Sequence, residues 1–336
     1  MLVQDTATAT ADTDPGAAPE QQLAALAGLC KASADPLRLQ VLRVLCRDSF
    51  GVSELCAIFA IRQPALSHHL KVLANAGLVA TRREGNSIFY RRVELGQRAE
   101  LEALQSQIFD AVDRIELPQT IEERLATLHK RREENSRSFF AVNAQKFHQQ
   151  QDLIASYSQY AETVAQVLRD TPLKQADTAL EVGPGDGAFL PELAQRFTRV
   201  LALDNAEAML TKAREQAASA GLTNIKFIHG DTRAPELEGV AVDCVVINMV
   251  LHHTPDPGQI LRDVADRLTP GGVVLVTDLC RHDQAWAREN CGDLWLGFDP
   301  GDLARWAALA GLKDLASVYL AQRNGFQIQV RLFGQS

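Results

Sequence analysis

The sequence contains an apolar segment that ends in three closely spaced glycines. Residues 179–182 are apolar except for Glu181, and Gly183, Gly185 and Gly187 follow directly. Glycines at such a turn let the backbone approach a ligand closely before a helix begins. The segment therefore predicts a strand, a turn that binds a nucleotide-like cofactor, and a helix.

Three more polar side chains follow apolar segments further along the chain, namely Asp204, Asp231 and Asn248. If these segments are parallel strands, their carboxyl ends meet at one edge of the sheet. An aspartate at the position of Asp204 suits a ribose diol, and one at the position of Asp231 can accept a hydrogen bond from an adenine amino group.

Two cofactor classes fit the glycines, because Gly183-x-Gly185-x-x-Ala188 also satisfies the dinucleotide pattern. Glu181 favours S-adenosylmethionine or S-adenosylhomocysteine. A carboxylate beside the glycines attracts the ammonium group of these ligands, whereas it repels a pyrophosphate.

Strands alternate with helices through the second half, which predicts a parallel sheet with an antiparallel pair at one edge. The predicted parallel strands are 178–182, 200–203, 225–228, 244–248 and 273–277, and the predicted pair lies around 315–320 and 326–332. Over residues 150–336 the chain resembles class I S-adenosylmethionine-dependent methyltransferases, which have a Rossmann-like fold. The resemblance implies that Glu181 and the three glycines form the first motif, that Asp204 holds the ribose and Asp231 the adenine, and that Asn248 lies near the transferred methyl group.

Catalytic residues are less defined by the sequence. His252 and His253 are the candidates for a general base, and they can equally be ordinary histidines at the rim of the site. Cys244, Cys280 and Cys291 raise the possibility of arsenic methylation. Because Cys244 lies within an apolar strand, a functional thiol cluster is not expected.

A second motif, Gln63 to Leu73, predicts a helix that recognises DNA. Apolar residues at positions 66, 70 and 73 face inward, which turns Gln63, Ser67, His68 and Lys71 outward toward base edges and phosphates. A predicted hairpin after this helix adds the cations Arg82, Arg83 and Arg91, which suit phosphates or a minor groove.

Three predicted helices and this hairpin form a winged helix-turn-helix, and residues 24–93 resemble the ArsR/SmtB-type bacterial repressors. The matching segments are residues 34–38, 53–55, 67–73 and 76–79. The resemblance implies a homodimer that an effector releases from operator DNA. The metal-sensing members carry a Cys-x-Cys pair, but Cys56 is followed by Ala57 and Ile58, so no metal site is expected. Cys30, Cys46 and Cys56 leave a thiol-redox sensor as an alternative.

Charge and composition complete the predicted organisation. Acidic and basic residues balance up to residue 150, so the net charge of −8 resides in the second half. We predict a disordered tail over 1–20, a winged helix-turn-helix domain over 21–96, a helical dimerisation or linker segment over 97–150, and a cofactor-binding domain over 151–336. No apolar run is long enough for a membrane span and no signal peptide is expected, which favours the cytoplasm.

The multidomain α+β and α/β chain is thus predicted to be a DNA-binding regulator that senses S-adenosylmethionine or S-adenosylhomocysteine. The alternative is an active methyltransferase of a small molecule whose DNA-binding domain regulates its own gene. A helix-turn-helix that binds another protein instead of DNA is a third possibility, but it would leave the basic hairpin without a purpose.

Overall fold

The computed structural model describes residues 19–335 except 47, 85–86, 94–98, 144–152 and 285. It divides into two compact units. The first comprises the chain up to residue 56 with 60–81 and 90–117, and the second comprises 57–59, 82–89 and 118–336. Most of the predicted disordered tail lies outside the described residues. Pro19 and Glu20, which were assigned to that tail, begin the first helix instead.

The first unit contains helices and a small sheet of three strands in the order β1-β3-β2. Its elements are α1 (Pro19–Ser33), α2 (Pro36–Val44), β1 (Phe50–Gly51), α3 (Val52–Phe59), α4 (Gln63–Asn75), β2 (Val79–Glu84), β3 (Ser87–Arg92) and α5 (Ala99–Asp113). Strands β2 and β3 cross the boundary between the two units.

Local signals fix the ends of these helices. Asp35 caps α2 by accepting a hydrogen bond from the Arg38 backbone N–H at 3.0 Å, and Pro36 occupies the first turn. Helix α4 stops at Gly77, whose φ of +70° suits glycine. Ser53 was expected to cap α3, but the cap is Gly51, whose N–H is held by the Glu54 carboxylate at 2.9 Å.

Helix α5 packs against α1 and α2 through a face that differs from the predicted one. The buried residues are Leu101, Gln105, Phe109 and Val112. The sequence pattern predicted a stripe through Leu104, Ile108, Ala111 and Ile115, and Ile115 is exposed. The predicted stripe is therefore offset from the buried face by about one residue, because α5 uses its polar Gln105 to bind the Gly77 carbonyl oxygen.

The second unit contains a seven-stranded sheet in the order β6-β5-β4-β7-β8-β10-β9. Its helices are α6 (Gln119–Asn143), α7 (Tyr157–Asp170), α8 (Leu190–Arg196), α9 (Glu207–Ser219), α10 (Pro257–Ala265), α11 (Trp286–Cys291) and α12 (Pro300–Leu309). Its strands are β4 (Thr178–Val182), β5 (Arg199–Asp204), β6 (Ile225–His229), β7 (Val242–Asn248), β8 (Leu268–Leu279), β9 (Leu312–Ala321) and β10 (Gln327–Gln335).

All five predicted parallel strands and the antiparallel pair are present in this sheet. Strands β4 to β8 pair in parallel, whereas β10 pairs antiparallel with both β8 and β9. Both faces of the sheet are covered by apolar side chains, which explains why β4 is buried along its whole length.

The strand order places a switch point at β4, whose neighbours are β5 and β7. Val182 pairs with Leu203 on one side and with Ile247 on the other. The strand ends that carry Glu181, Asp204 and Asn248 therefore lie at the same edge, where open α/β sheets bind ligands.

Among the described residues, no helix has the length and apolar character needed to cross a bilayer.

Candidate functional site

A cavity of about 670 Å³ opens at the carboxyl edge of the parallel strands in the second unit. Six of the seven residues predicted to bind the cofactor line it: Glu181, Gly183, Gly185, Asp204, Asp231 and Asn248. A volume of this size accommodates a small-molecule ligand.

The glycine turn has the backbone conformation that the motif predicts. Gly183, Gly185 and Gly187 all have positive φ angles, of 67°, 59° and 87°. Gly187 does not line the cavity. A Cβ at that position would lie 3.1 Å from the Ala213 Cα of α9, so Gly187 allows α9 to pack closely against the turn.

Glu181 and Asn248 bring buried polar atoms to the cavity that the described residues leave without hydrogen bonds. They are Glu181 Oε2 and both terminal atoms of the Asn248 amide. Burial raises the pKa of Glu181 to about 8, the nearby Asp186 adds to the rise, and the Asn248 side chain offsets part of it. Buried polar groups of this kind require a partner, so they fit a ligand with an ammonium or sulfonium group.

Asp204 and Asp231 lie at the ends of their strands as predicted, but in different environments. Asp204 accepts a hydrogen bond from the Ala206 N–H at 2.8 Å, and burial raises its pKa to about 6. Asp231 is exposed and accepts a hydrogen bond from the Arg233 N–H at 2.8 Å. The backbone thus orients both carboxylates at the cavity, where each can accept hydrogen bonds from a ligand.

The two candidate catalytic histidines differ in position. His253 lines the cavity, and burial together with the neighbouring His252 holds its pKa well below the usual range. His252 is not among the cavity residues. It is buried, and its Nδ1 lies 2.7 Å from Asp278 Oδ1. Burial opposes its charge, but Asp278 and Asp293 raise its pKa to about 9. Of the two, only His253 is placed to contact a ligand.

Helix α6 forms a wall of the cavity that sequence reasoning missed. Residues 122–137 were predicted to be a solvated linker helix because they are almost all polar. Five residues of this helix line the cavity: Ala126, His129, Lys130, Glu133 and Glu134. No periodic apolar signal marks this contact, since polar side chains can line a ligand site as well as face water.

Two tyrosines on α7 were also missed. Tyr157 and Tyr160 line the cavity, and burial raises the pKa of both phenols. The alternation of apolar and polar residues along α7 predicts a packed helix, but it gives no sign that its aromatic side chains face a ligand.

The cysteines of the second unit give no support for thiol chemistry. Cys244, Cys280 and Cys291 are buried, and burial raises their pKa values to about 12, 11 and 12. Since the thiolate is the reactive form, such thiols are poor metal ligands and nucleophiles. This agrees with the expectation that they pack as small apolar residues, whereas Cys30 of the first unit is exposed, contrary to that expectation.

The helix predicted to recognise DNA has the expected two faces. Leu66, Leu70 and Leu73 of α4 are fully buried. The four predicted contact residues lie on the other side: Gln63, His68 and Lys71 are exposed, and Ser67 is half-buried.

The hairpin that follows corrects part of the prediction. Arg83 is exposed and Arg91 is half-buried, but Arg82 is only 6% exposed. Its guanidinium donates a hydrogen bond to the Gly297 carbonyl oxygen at 3.1 Å, and both residues belong to the second unit. Side chains in adjacent positions of a strand point to opposite faces, so Arg82 and Arg83 cannot share a role at a DNA surface.

The basic stretch of the first unit also contains a structural residue. Arg92 is buried and makes two hydrogen bonds to the Asp113 carboxylate, at 3.0 and 2.6 Å, and one to the Leu42 carbonyl oxygen at 2.6 Å. Arg92 therefore ties β3 to α2 and α5 and does not add to the DNA-facing charge.

Both units resemble known proteins. Residues 35–81 match the family model described as "Bacterial regulatory protein, arsR family", and residues 180–276 match a model described as "Methyltransferase domain". A biofilm growth-associated repressor of Agrobacterium fabrum is 44% identical over 90 residues, which cover 27% of this chain and 77% of the repressor.

An uncharacterized methyltransferase of Mycobacterium tuberculosis is 36% identical over 97 residues, which cover 29% of this chain and 48% of that protein. The chain thus spans about half the length of the methyltransferases it matches. Among solved structures, a putative methyltransferase from a Haloferax volcanii complex with the Trm112 activator superposes with a TM-score of 0.47 and 18% identity, covering 57% of this chain and 96% of that one.

Proposed function

Because the chain belongs to the arsR family of bacterial regulatory proteins through its first unit and carries a methyltransferase domain in its second, we propose that it is a transcriptional regulator whose affinity for operator DNA is set by S-adenosylmethionine or S-adenosylhomocysteine. In this proposal the methyltransferase domain acts as a sensor, and the protein works in the cytoplasm beside the chromosome.

The chemistry of the cavity supports this choice of ligand. Its wall carries the acidic residues Glu181, Asp186, Asp204 and Asp231. Such a wall favours the sulfonium and ammonium groups of S-adenosylmethionine and disfavours the pyrophosphate of a dinucleotide. In the proposed arrangement Asp204 accepts hydrogen bonds from the ribose and Asp231 from the adenine.

Helix α6 carries the argument for sensing. The first unit ends at residue 117, and α6 begins at Gln119 and lines the cavity. A bound ligand would therefore contact the segment that directly follows the DNA-binding unit in the chain. A difference in this contact between two states of α6 is what a ligand needs in order to shift DNA affinity.

The two ligands differ by one methyl group and one positive charge. Glu181 and Asn248 are the proposed discriminating residues, since their buried polar atoms have no hydrogen bonds among the described residues. A sensor of this kind should respond differently to the two ligands.

The test begins with an operator selected from a pool of random duplexes. Operator affinity is then titrated against each ligand, and ligand affinity is measured calorimetrically with and without operator. Linkage requires the same factor in both directions, and typical couplings of about 1–3 kcal/mol correspond to roughly 5- to 150-fold. If neither ligand changes operator affinity, the sensor proposal fails.

The proposed DNA surface consists of Gln63, Ser67, His68 and Lys71 on α4 with Arg83 and Arg91 on the hairpin. We further propose that the protein binds DNA as a homodimer. Large apolar side chains of the first unit are exposed, namely Leu23 at 66%, Leu26 at 39% and Ile115 at 59%. Exposed apolar side chains on neighbouring elements are typical of an association surface, and sedimentation of the full-length protein tests this.

The position of His253 favours a second candidate function, methyl transfer to a small acceptor. A histidine with a lowered pKa at the wall of the cavity can accept the proton of an acceptor hydroxyl or amine as its methyl bond forms. Release of S-adenosylhomocysteine from S-adenosylmethionine in the presence of candidate acceptors, with loss of activity in His253→Gln, would support this function.

A further inference from the structure

Next to the cofactor cavity, the second unit brings two histidines and a carboxylate together. His252 Nε2 lies 3.9 Å from Asp293 Oδ1, and His253 Nδ1 lies 3.7 Å from the same oxygen. One potential ligand atom from each of the three residues falls within 4.8 Å of the others. The residues come from two segments about 40 positions apart in the sequence, so the fold creates the cluster.

The geometry points to a zinc-binding site formed by His252, His253 and Asp293. Zinc is bound in proteins by imidazole nitrogens and carboxylate oxygens at about 2.0–2.2 Å, which places tetrahedral ligand atoms roughly 3.4 Å apart. The observed separations of 3.9 and 3.7 Å need to contract by only a few tenths of an ångström.

Asp278 completes the arrangement from the other side of His252. Its Oδ1 lies 2.7 Å from His252 Nδ1, so the opposite nitrogen, Nε2, faces Asp293. Histidines that bind metals commonly donate their second ring N–H to a carboxylate in this way, which fixes the ring and raises its basicity. The Asp278–His252 pair thus has the form of a supported zinc ligand.

The cavity gives an ion access to this buried cluster. His252 and Asp293 are buried, but His253 lines the cavity. In the free protein His253 Nδ1 lies 3.3 Å from the Gly292 carbonyl oxygen. Zinc would replace that hydrogen bond with a bond from Nδ1 to the metal, and it would leave one coordination position for water or another ligand.

A direct titration of the full-length protein with metal tests the site. The protein is stripped with a chelator, titrated with Co²⁺ while the visible absorption of tetrahedral cobalt is followed, and then competed with Zn²⁺, while native mass spectrometry gives the stoichiometry. We expect one ion per chain at this site and a Zn²⁺ affinity that falls by at least about 10–100-fold in His253→Gln and in Asp293→Asn.

Two controls keep the test decisive. His229→Gln removes a histidine whose side chain is 55% exposed and which lies outside the cluster, so it should bind zinc as the wild type does. Asp278→Asn should weaken zinc binding through the support of His252, by about 10–100-fold. Circular dichroism checks folding, and His253→Gln remains decisive if a buried aspartate variant fails to fold. The site is refuted if the wild type takes up no zinc, or if His253→Gln binds it as tightly as the wild type.

Discussion

The DNA-facing helix α4 and the carboxyl edge of the β4–β8 sheet present their polar side chains in different ways. On α4 the leucines are buried, and the polar residues that we propose for DNA contact remain largely exposed. At the sheet edge the key carboxylate of Glu181 is itself buried, and its pKa is raised to about 8.

This difference follows from the two kinds of ligand. A polyanion as large as DNA is held by many exposed cations, each of which contributes a little and is sensitive to salt. A small charged ligand is held by a few groups removed from water, where each interaction is stronger and each unsatisfied group is costly. Substitutions in the cavity should therefore have larger effects than substitutions on the DNA surface.

The largest effect is expected for Gly185→Arg. Gly185 lines the cavity with a φ of 59°, so arginine both strains the turn and fills the space for the nucleoside. Calorimetry with S-adenosylhomocysteine should show at least about a 100-fold loss of affinity, or roughly 2.7 kcal/mol. Gly221→Arg is the matched control, because Gly221 has a φ of 68° and open space around its Cβ. Equal losses in both variants would indicate strain alone.

A smaller loss is expected for Asp204→Ala. Removal of one charge-assisted hydrogen bond to the ribose should cost about 1–3 kcal/mol, or about 5- to 150-fold in affinity for S-adenosylmethionine. Asp266→Ala removes an exposed carboxylate outside the cavity and should leave this affinity unchanged. A wild type that binds a nicotinamide dinucleotide and not S-adenosylmethionine would contradict the proposed cofactor.

Glu181→Gln should change the pH dependence of binding. Since the pKa of Glu181 is about 8 in the free protein, the side chain is largely protonated below pH 8 and must lose its proton to attract a cationic ligand. The affinity for S-adenosylmethionine should rise between pH 6.5 and 8, with a slope of at most about tenfold per pH unit.

The glutamine variant should lack this rise. The free protein supplies an independent check of the sign. A carboxyl whose pKa is raised from 4.5 to about 8 by folding stabilises the protein below pH 4.5, and this contribution is lost as the pH rises to 8. Thermal unfolding of Glu181→Gln without ligand should therefore fall less steeply over this range than that of the wild type, and identical pH profiles would count against a buried, protonated Glu181.

The smallest effect is expected on the DNA surface, from Arg83→Ala. Loss of one phosphate contact should weaken binding to any duplex a few-fold and reduce the slope of log affinity against log salt by about 0.9 per contact in each protomer. Arg82→Ala is the internal comparison, because Arg82 is adjacent but buried. It should lower thermal stability and leave the salt slope unchanged, so an equal change of slope in both variants would contradict the assignment.

The sequence by itself determined the elements of both units and most of the cofactor site. The glycine turn after β4 and the carboxylates at the ends of β4, β5 and β6 are local features, and parallel strands necessarily bring their carboxyl ends to one edge. The polar face of α4 was predictable for the same reason, since the positions of its leucines fix the opposite side of the helix.

The tertiary structure alone decided which polar residues are buried and what they contact. Helix α6 has no apolar periodicity, yet it lines the cavity. Arg82 carries the same charge as Arg83 but is buried, and His252, His253 and Asp293 are brought together from separate segments. A sequence pattern reports the period of an element and so the side it buries. It does not report which distant segment covers that side, and the contacts between such segments set the environment of every charged group here.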